Sequence, residues 1–491
     1  MAAIWCRRPL VIAAAFVVIL TLWRLWALAT SNLELFFDEA QYWFWSLDPD
    51  FGYFSKPPMV AWLIGLGTAV FGHTEFAVRM TSPLCYAITA ALVAGIAWSV
   101  FADAPYRQTA AAWAAITVAT LPAVSLSAQL ASTDVPLLMF WAAALLCLVQ
   151  YWRKGGWWWI GFGVALGGGL MSKYAMIYLL LCLTVALVMV PETRSLMRTK
   201  GLWFGIALGA LLFAPNLWWN WTHQLASFNH TAANAHWDGQ LFKPGKLAEF
   251  AGAQFGIMGP ILLTAFGWAA FTWRRLTPGE RLLMAFSLPV LVLILGQALL
   301  SRAHANWAAV TYIAATVLVV GWLLRRRQER WLSRSLALHG FAVIAILYGA
   351  AVAPLVGLDP WHRMRGWRAM GEEVAARLAQ RPNSLLPDPL LMVSDRSGMA
   401  AMLFYVRPSP PAWVKLGNSD AAGDHYELVS KSTEIGSRPV LYLSRWGEGH
   451  RVPAELAARF ETIAPAAPVS RQRPTRPAEV YHAFWLVGFK G

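Results

Sequence analysis

The chain has 491 residues, of which 58% are hydrophobic and 13% charged, and its formal net charge is +14. Soluble domains carry about 25% charged residues, so a single soluble globular fold is excluded. The excess Lys and Arg sit largely in short loops between apolar runs, which accounts for the charge without a nucleic-acid partner.

Crossing a ~30 Å hydrocarbon core takes ~20 helical residues, and the apolar runs predict about eleven spans. They fall at 9–30, 76–101, 109–128, 136–152, 157–172, 174–191, 201–219, 250–273, 282–300, 307–324 and 335–356. The first has Arg7 and Arg8 ahead of it, like a signal peptide. It is too long for an h-region and has no convincing A-x-A site, so it is read as a helix.

Basic residues in short loops set the orientation. Arg7 and Arg8, Arg107, Arg153 and Lys154, Arg194, Arg198 and Lys200, Arg274, Arg275 and Arg281, and Arg325, Arg326, Arg327 and Arg330 occupy alternate loops. The opposite, longer loops hold only Lys56, Lys173, Lys243, Lys246 and Arg302. The first set therefore faces the cytoplasm, and an odd number of spans puts residues 357–491 outside. Residues 1–356 are thus expected to form the transmembrane part of a mostly α, polytopic membrane protein.

Residues 357–491 are expected to form a small exterior α/β domain. An amphipathic helix is predicted near 367–380, strands at 390–395, 440–444 and 480–487, and a helix at 397–406. Cys6, Cys85, Cys147 and Cys182 all lie in or beside membrane segments, so no disulfide framework is implied outside. Many of the 28 tryptophans cluster at span ends, where an aromatic belt accounts for most of them; a few are left to stack on a sugar ring.

The exterior loop 31–75 is too long and polar for a mere connection. Its FFDEAQYW (36–43) suits a helix lying on the membrane surface, with Asp38 and Glu39 presented over the outer mouth. Carboxylates beside lipid cost energy unless paired or functional. The plain alternatives are that Asp38 caps this helix and that Glu39 pairs with a basic neighbour such as Arg79. Lys56 precedes two prolines, which hold it on an extended stretch, either to meet a phosphate or to snorkel as an anchor.

Further polar groups recur on the same side. Asp134 in STDVP stands where a helix cap is expected, and Lys173 interrupts two apolar runs at a cost that favours function. His223, His230, His236 and Asp238 share one loop, but their spacing matches no tight metal motif. Arg302, His304 and Asn306 fall together in SRAHANW. Convergence of all these groups on one membrane face points to a site.

This ordered series resembles the polytopic, lipid-dependent glycosyltransferases of the GT-C class. The resemblance is to the bacterial branch with lipid A aminoarabinose transferases and, more distantly, to protein O-mannosyltransferases. It rests on Asp38–Glu39 after the first span, YFSKPP (Tyr53–Pro58), EFAVR (Glu75–Arg79), Asp134, Ser172–Lys173 and Asn306–Trp307. It implies inverting transfer of a sugar from a polyprenyl phosphate to an extracytoplasmic acceptor at a bacterial inner membrane, with lipid A or another envelope glycan as acceptor and protein hydroxyls as the alternative. Asp38 would be the catalytic base, and Lys56 would contact the donor phosphate, with Lys173 and Arg302 adding charge. Glu39, Tyr42, Tyr53, Arg79, Asp134, His230, His304 and Asn306 would line the substrate site. Aminoarabinose transferases carry a glutamate, implicated in metal binding, just before the lysine; here it is Ser55, which stands against a divalent metal. A lipid-linked-sugar transporter and a ligand sensor are the competing readings. A transporter would show interrupted midplane helices and internal repeats, and no repeat is found.

Overall fold

The computed structural model describes residues 8–234, 242–380, 387–408, 410–417, 422–445 and 452–491. His236 and Asp238 lie outside the described residues. Among the described residues, six helices are long and apolar enough to cross a membrane: Pro9–Ala29, Glu75–Val100, Asp134–Lys154, Lys200–Thr222, Pro278–Leu300 and Glu329–Val356. Two bent pairs raise the number to 8 if each pair is one span, and Met59–Phe71, Trp158–Leu170 and Thr311–Arg325 are shorter apolar helices. The expected eleven spans are not all present as uninterrupted crossings.

Proline explains where they break. The expected span 250–273 is two helices, Pro244–Met258 and Pro260–Phe271, bent by 112°. Gly259 between them has φ 86°, and Pro260 cannot donate to the preceding turn. The span expected at 109–128 likewise stops at Thr120 and restarts as Pro122–Ser127. That break frees carbonyls, and a buried cation from the first helix fills the gap: Arg24 Nη2 donates to the Ala119 carbonyl at 2.7 Å and to Ser125 Oγ at 3.0 Å. A cation suits a helix C-terminus, so Arg24 is accounted for without a role in chemistry.

Elsewhere glycines bring helices into contact. A methyl group on Gly163 would stand 2.6 Å from the Gly205 carbonyl oxygen, and one on Gly209 would meet the Leu166 side chain at 2.7 Å. Helices Trp158–Leu170 and Lys200–Thr222 thus pack by facing small residues, the arrangement favoured where lipid offers no hydrophobic drive. Helix Thr311–Arg325 is buried on every side from Thr311 to Leu324, which is why its sequence has no polar face.

Beyond the helical part, four strands form one sheet in the order β1-β2-β4-β3. β1 (Leu390–Val393) runs parallel to β2 (Val440–Ser444), while β4 (Arg476–Phe489) is antiparallel to β2 and to β3 (Phe460–Arg473). Helices Trp367–Ala379 and Arg396–Tyr405 match the sequence expectation closely. β3 was not expected, because Pro465 and Pro468 make it read as a loop. It is the edge strand, where proline is tolerated, and its register shifts between Ala466 and Val469.

Loop 31–75 contains the expected helix, Phe37–Ser46, which is largely buried and not laid open on a surface, and also an unexpected one, Met59–Phe71. Phe37–Ser46 is clamped between the helical part and helix Arg396–Tyr405. Trp43 meets Phe404 edge-on at 4.8 Å, and the Tyr405 hydroxyl accepts from the Leu35 amide at 2.6 Å. This stacking brings the first turns of the two helices together.

A buried histidine backs the clamp. His425 packs edge-on against Trp45 and Tyr53, and burial pushes its imidazole down to about 3 against the opposing pull of Asp424. A histidine depressed in the folded state binds fewer protons than in the unfolded chain. Stability is therefore present above pH ~6.5 and lost as pH falls toward the folded value. Thermal melting in detergent is expected to drop between pH 7 and pH 4, and His425→Gln is expected to flatten that drop. An unchanged slope would refute the assignment.

Candidate active site

The site is assembled from six separate stretches of chain. Asp38 lies in the first turn of helix Phe37–Ser46, and Arg396 Nη2 donates to its Oδ1 at 2.5 Å. Glu39, the next residue, is turned into protein. Its Oε1 accepts from Arg79 Nε at 2.8 Å and from the Ala131 amide at 2.9 Å, and its Oε2 accepts from Arg79 Nη2 at 2.7 Å and from the Phe36 amide at 2.9 Å. Arg79 also donates to the Leu33 and Glu34 carbonyls. Both residues are 2% exposed, so the pair expected from the sequence is a closed structural clasp.

Removing one partner of such a pair strands a buried charge, at a cost of about 3–5 kcal/mol. Arg79→Met is expected to lower the melting temperature in detergent markedly, where the paired change Arg79→Met with Glu39→Gln lowers it less. Equal losses from both would contradict the clasp.

Lys56 is held on a tight turn. The Tyr53 amide donates to the Lys56 carbonyl at 3.1 Å, and the Tyr53 hydroxyl donates to the Trp45 carbonyl at 2.9 Å while its ring stacks on Trp45 at 4.6 Å. Helix Lys200–Thr222 anchors the turn from outside: Asn216 Nδ2 donates to the Phe51 carbonyl at 2.7 Å and Trp219 Nε1 to Asp50 at 2.6 Å. Ser227 Oγ donates to the Tyr53 carbonyl. Tyr53 is therefore spent on shaping the turn that carries Lys56.

No described residue hydrogen-bonds or ion-pairs with the Lys56 ammonium. Burial first, and Lys173 second, push it below the ordinary lysine value, while Asp38 and Asp134 pull the other way. A half-desolvated cation without an anion is poised to take one.

Lys173 Nζ donates to Asp134 Oδ1 at 2.7 Å, and Asn306 Nδ2 donates to Asp134 Oδ2 at 2.6 Å. Asp134 begins helix Asp134–Lys154 without capping it, since the N-cap is Thr133. The expected cap is instead a bracket tying three distant segments. His230, edge-on to Phe54, is pushed down to about 4 by burial, then by Lys56 and Arg396. His304 is lowered by burial, then by Arg302, Lys173 and Lys56. Arg302 keeps a buried Nε without an acceptor among the described residues. Tyr42 is buried, and after burial Asp38 does most to raise its hydroxyl above the ordinary phenol value. Lys56 feels Lys173, Asp38, Asp134 and Arg396, His230 feels Lys56 and Arg396, and His304 feels Arg302, Lys173 and Lys56, so these groups lie near one another.

A cavity of about 780 Å³ opens beside it. Lys56, Lys173, Tyr174, Thr231 and Asn234 line its polar end, and Val292, Leu293, Leu300 and Trp307 its apolar wall. Ile177, Val292, Leu293 and Leu300 are also exposed, so the cavity is open along this apolar wall of the helical part. A smaller hollow of about 410 Å³ near Asn32, Glu34 and Arg365 lies apart from this cluster, and its Arg365 and Arg473 donate to protein acceptors. Among the described residues, no three His, Cys, Asp or Glu side chains gather as metal ligands. Ser55, buried beside Lys56, offers no carboxylate, so the residues present do not fit the metal site implied by the resemblance.

Arg396 was not anticipated. It lies in SDRSG, where Asp395 caps the following helix through the Gly398 amide at 2.9 Å. The N-terminal signature is legible, but nothing local ties it to a carboxylate 358 residues away.

An apolar-walled cavity with cations at its polar end, an adjacent carboxylate and a sheet beyond the helices fit an integral-membrane glycosyltransferase of the GT-C class. The chain is 35% identical to the lipid A galacturonosyltransferase RgtD of Rhizobium johnstonii over 411 residues, 81% of this chain and 82% of that protein, and it belongs to that family. The family model described as dolichyl-phosphate-mannose-protein mannosyltransferase matches residues 55–219. An undecaprenyl phosphate-alpha-4-amino-4-deoxy-L-arabinose arabinosyl transferase of Sodalis glossinidius is 31% identical over 132 residues, 25% of this chain and 22% of that one. The fold is that of ArnT from Cupriavidus metallidurans in the apo state, with a TM-score of 0.60 at 17% identity, covering 99% of this chain and 98% of that one.

Proposed function

We propose that this protein transfers a hexuronic acid, galacturonic acid in the first instance, from a polyprenyl phosphate to lipid A at the outer face of a bacterial inner membrane. The observation that carries the reading is Lys56, which pairs with no described residue, beside Lys173 at the polar end of an open, apolar-walled cavity. The uronic acid and the lipid A acceptor come from the activity named for the relative, RgtD, that is 35% identical. The related ArnT fold has been solved bound to undecaprenyl phosphate, which supports a donor of that kind.

In this reading the prenyl chain lies along Val292, Leu293 and Leu300, and its phosphate meets Lys56 and Lys173. Asp38 takes the proton from an acceptor hydroxyl as that oxygen bonds to the anomeric carbon. The bond from that carbon to the phosphate oxygen breaks, and the polyprenyl phosphate leaves with the electron pair, its charge offset by the lysines. Glu39 and Asp134 have their oxygens taken up by Arg79, backbone amides, Lys173 and Asn306. Neither is free to form a covalent sugar intermediate, so a single displacement with inversion follows. Glu39, Arg79 and Tyr53 contribute by positioning Asp38 and Lys56. Residues 1–356 act as the transmembrane unit, with a cytoplasmic N-terminus, and 357–491 as an extracytoplasmic unit.

Mass spectrometry of lipid A from a deletion strain, with and without the wild-type gene restored, tests the reading. Loss and recovery of a hexuronic acid on lipid A is expected. Unchanged lipid A together with altered glycoproteins would contradict it.

A further inference from the structure

The role of the exterior sheet and its helices is not explained by phosphate binding, and its most telling contribution is Arg396. This residue opens the ten-residue helix Arg396–Tyr405 and reaches Asp38 from the sheet-bearing part of the chain. One of its Nη2 donors goes to Asp38, and its guanidinium lies 4.9 Å from the Phe37 ring. Nε and Nη1 have no protein acceptor among the described residues. The side chain is 30% exposed, so a ligand has access to it. Arg396 also acts electrostatically on Lys56 and His230, so it belongs to the donor site as well as to Asp38.

Charge at the site is unbalanced. Among the described residues, Lys56, Lys173, Arg302 and Arg396 face Asp38 and Asp134, an excess of two positive charges by four minus two. A phosphodiester donor carrying a neutral sugar brings one negative charge and leaves the excess half met. A donor whose sugar has a carboxylate brings two. An arginine fork matches a carboxylate with two parallel hydrogen bonds, and the first turn of a helix adds favourable potential.

We propose that Arg396 binds the carboxylate of the donor sugar and thereby selects acidic over neutral hexoses, a reading that rests on the transferase function above. The exterior unit is then a specificity element, and an acidic sugar that engages Arg396 also loosens its hold on Asp38. A neutral sugar leaves that ion pair intact.

The test uses the full-length enzyme in nanodiscs with lipid A as acceptor and two donors, polyprenyl-phosphate galacturonate and polyprenyl-phosphate galactose. Wild-type kcat/KM is expected to favour the acidic donor by about 10–100-fold, the range for a hydrogen bond to a charged group. In Arg396→Gln the preference is expected to collapse toward unity, and Arg396→Lys should restore only part of it. The ratio between donors cancels any common effect through Asp38. If Arg396→Gln lowers both donors by one factor, Arg396 merely positions Asp38, and the proposal is wrong. A raised KM for lipid A with the donor preference intact would overturn it too, assigning the arginine to an acceptor anion. A wild type that uses both donors equally overturns the Arg396 assignment but leaves the transferase reading standing. A wild type that uses neither overturns both.

Discussion

Asp38→Asn is expected to leave the protein in the membrane at wild-type amounts while lowering turnover about 10²–10⁴-fold, the range for losing a positioned general base. The two side chains are nearly the same size, and an amide oxygen can still accept from Arg396, so the contact between helices Phe37–Ser46 and Arg396–Tyr405 survives. On the proposed mechanism, what is lost is the basic oxygen that takes the acceptor proton. Donor binding, read as KM for the lipid-linked sugar, is expected to change little. Near-normal kcat in this variant would remove Asp38 from the chemistry and leave it as a partner of Arg396 alone.

Lys56→Met is expected to reduce kcat/KM about 10²–10³-fold, by analogy with deleting one preorganised donor at a developing oxyanion. Methionine keeps the length and apolar stem, so the turn shaped by Tyr53, Ser227 and Asn216 is retained. Because Lys56 has no counter-ion among the described residues, its loss strands no partner, and melting temperature is expected to hold or rise. Lys173→Met is a useful contrast, since it also strips Asp134 of a partner and is expected to lower both activity and stability. A Lys56→Met enzyme with wild-type kcat/KM would mean that the phosphate sits elsewhere.

Charged residues in an apolar chain are conspicuous, which is why Asp38, Lys56, Asp134, Lys173 and Arg302 were legible from the sequence. Which of them answer one another was less so. Glu39 and Arg79 are 40 residues apart, close enough to suggest pairing, and they do pair. Asp134 and Asn306 are 172 apart, and only the folded helical part brings them into contact, displacing the expected cap. Arg396 was hidden for the opposite reason: in a polar exterior segment one more arginine does not stand out. Hydropathy also adds up residues without regard to direction. The run through Gly259–Pro260 therefore read as one span although its two arms diverge by 112°. β3 was concealed by Pro465 and Pro468, which an edge strand tolerates and a central strand does not.

The resemblance to known transferases was carried by short motifs, and the structure divides their residues by task. Tyr53 gives its hydroxyl to backbone carbonyls, and Glu39 and Arg79 hold each other. Lys56 retains donors with no acceptor among the described residues, as do Arg302 and Arg396 outside the motifs. Spacing alone does not make that division, because it depends on where the remaining hydrogen bonds go.

The claim beneath all of this is that a lipid phosphate docks where Lys56 and Lys173 meet the apolar-walled cavity. Determining the structure of the purified protein with polyprenyl phosphate bound tests it most directly. Phosphate oxygens within hydrogen-bonding distance of Lys56 Nζ, with the prenyl chain running past Leu293 and Leu300, is the predicted result. A phosphate bound away from Lys56, with that cavity still empty, would contradict it.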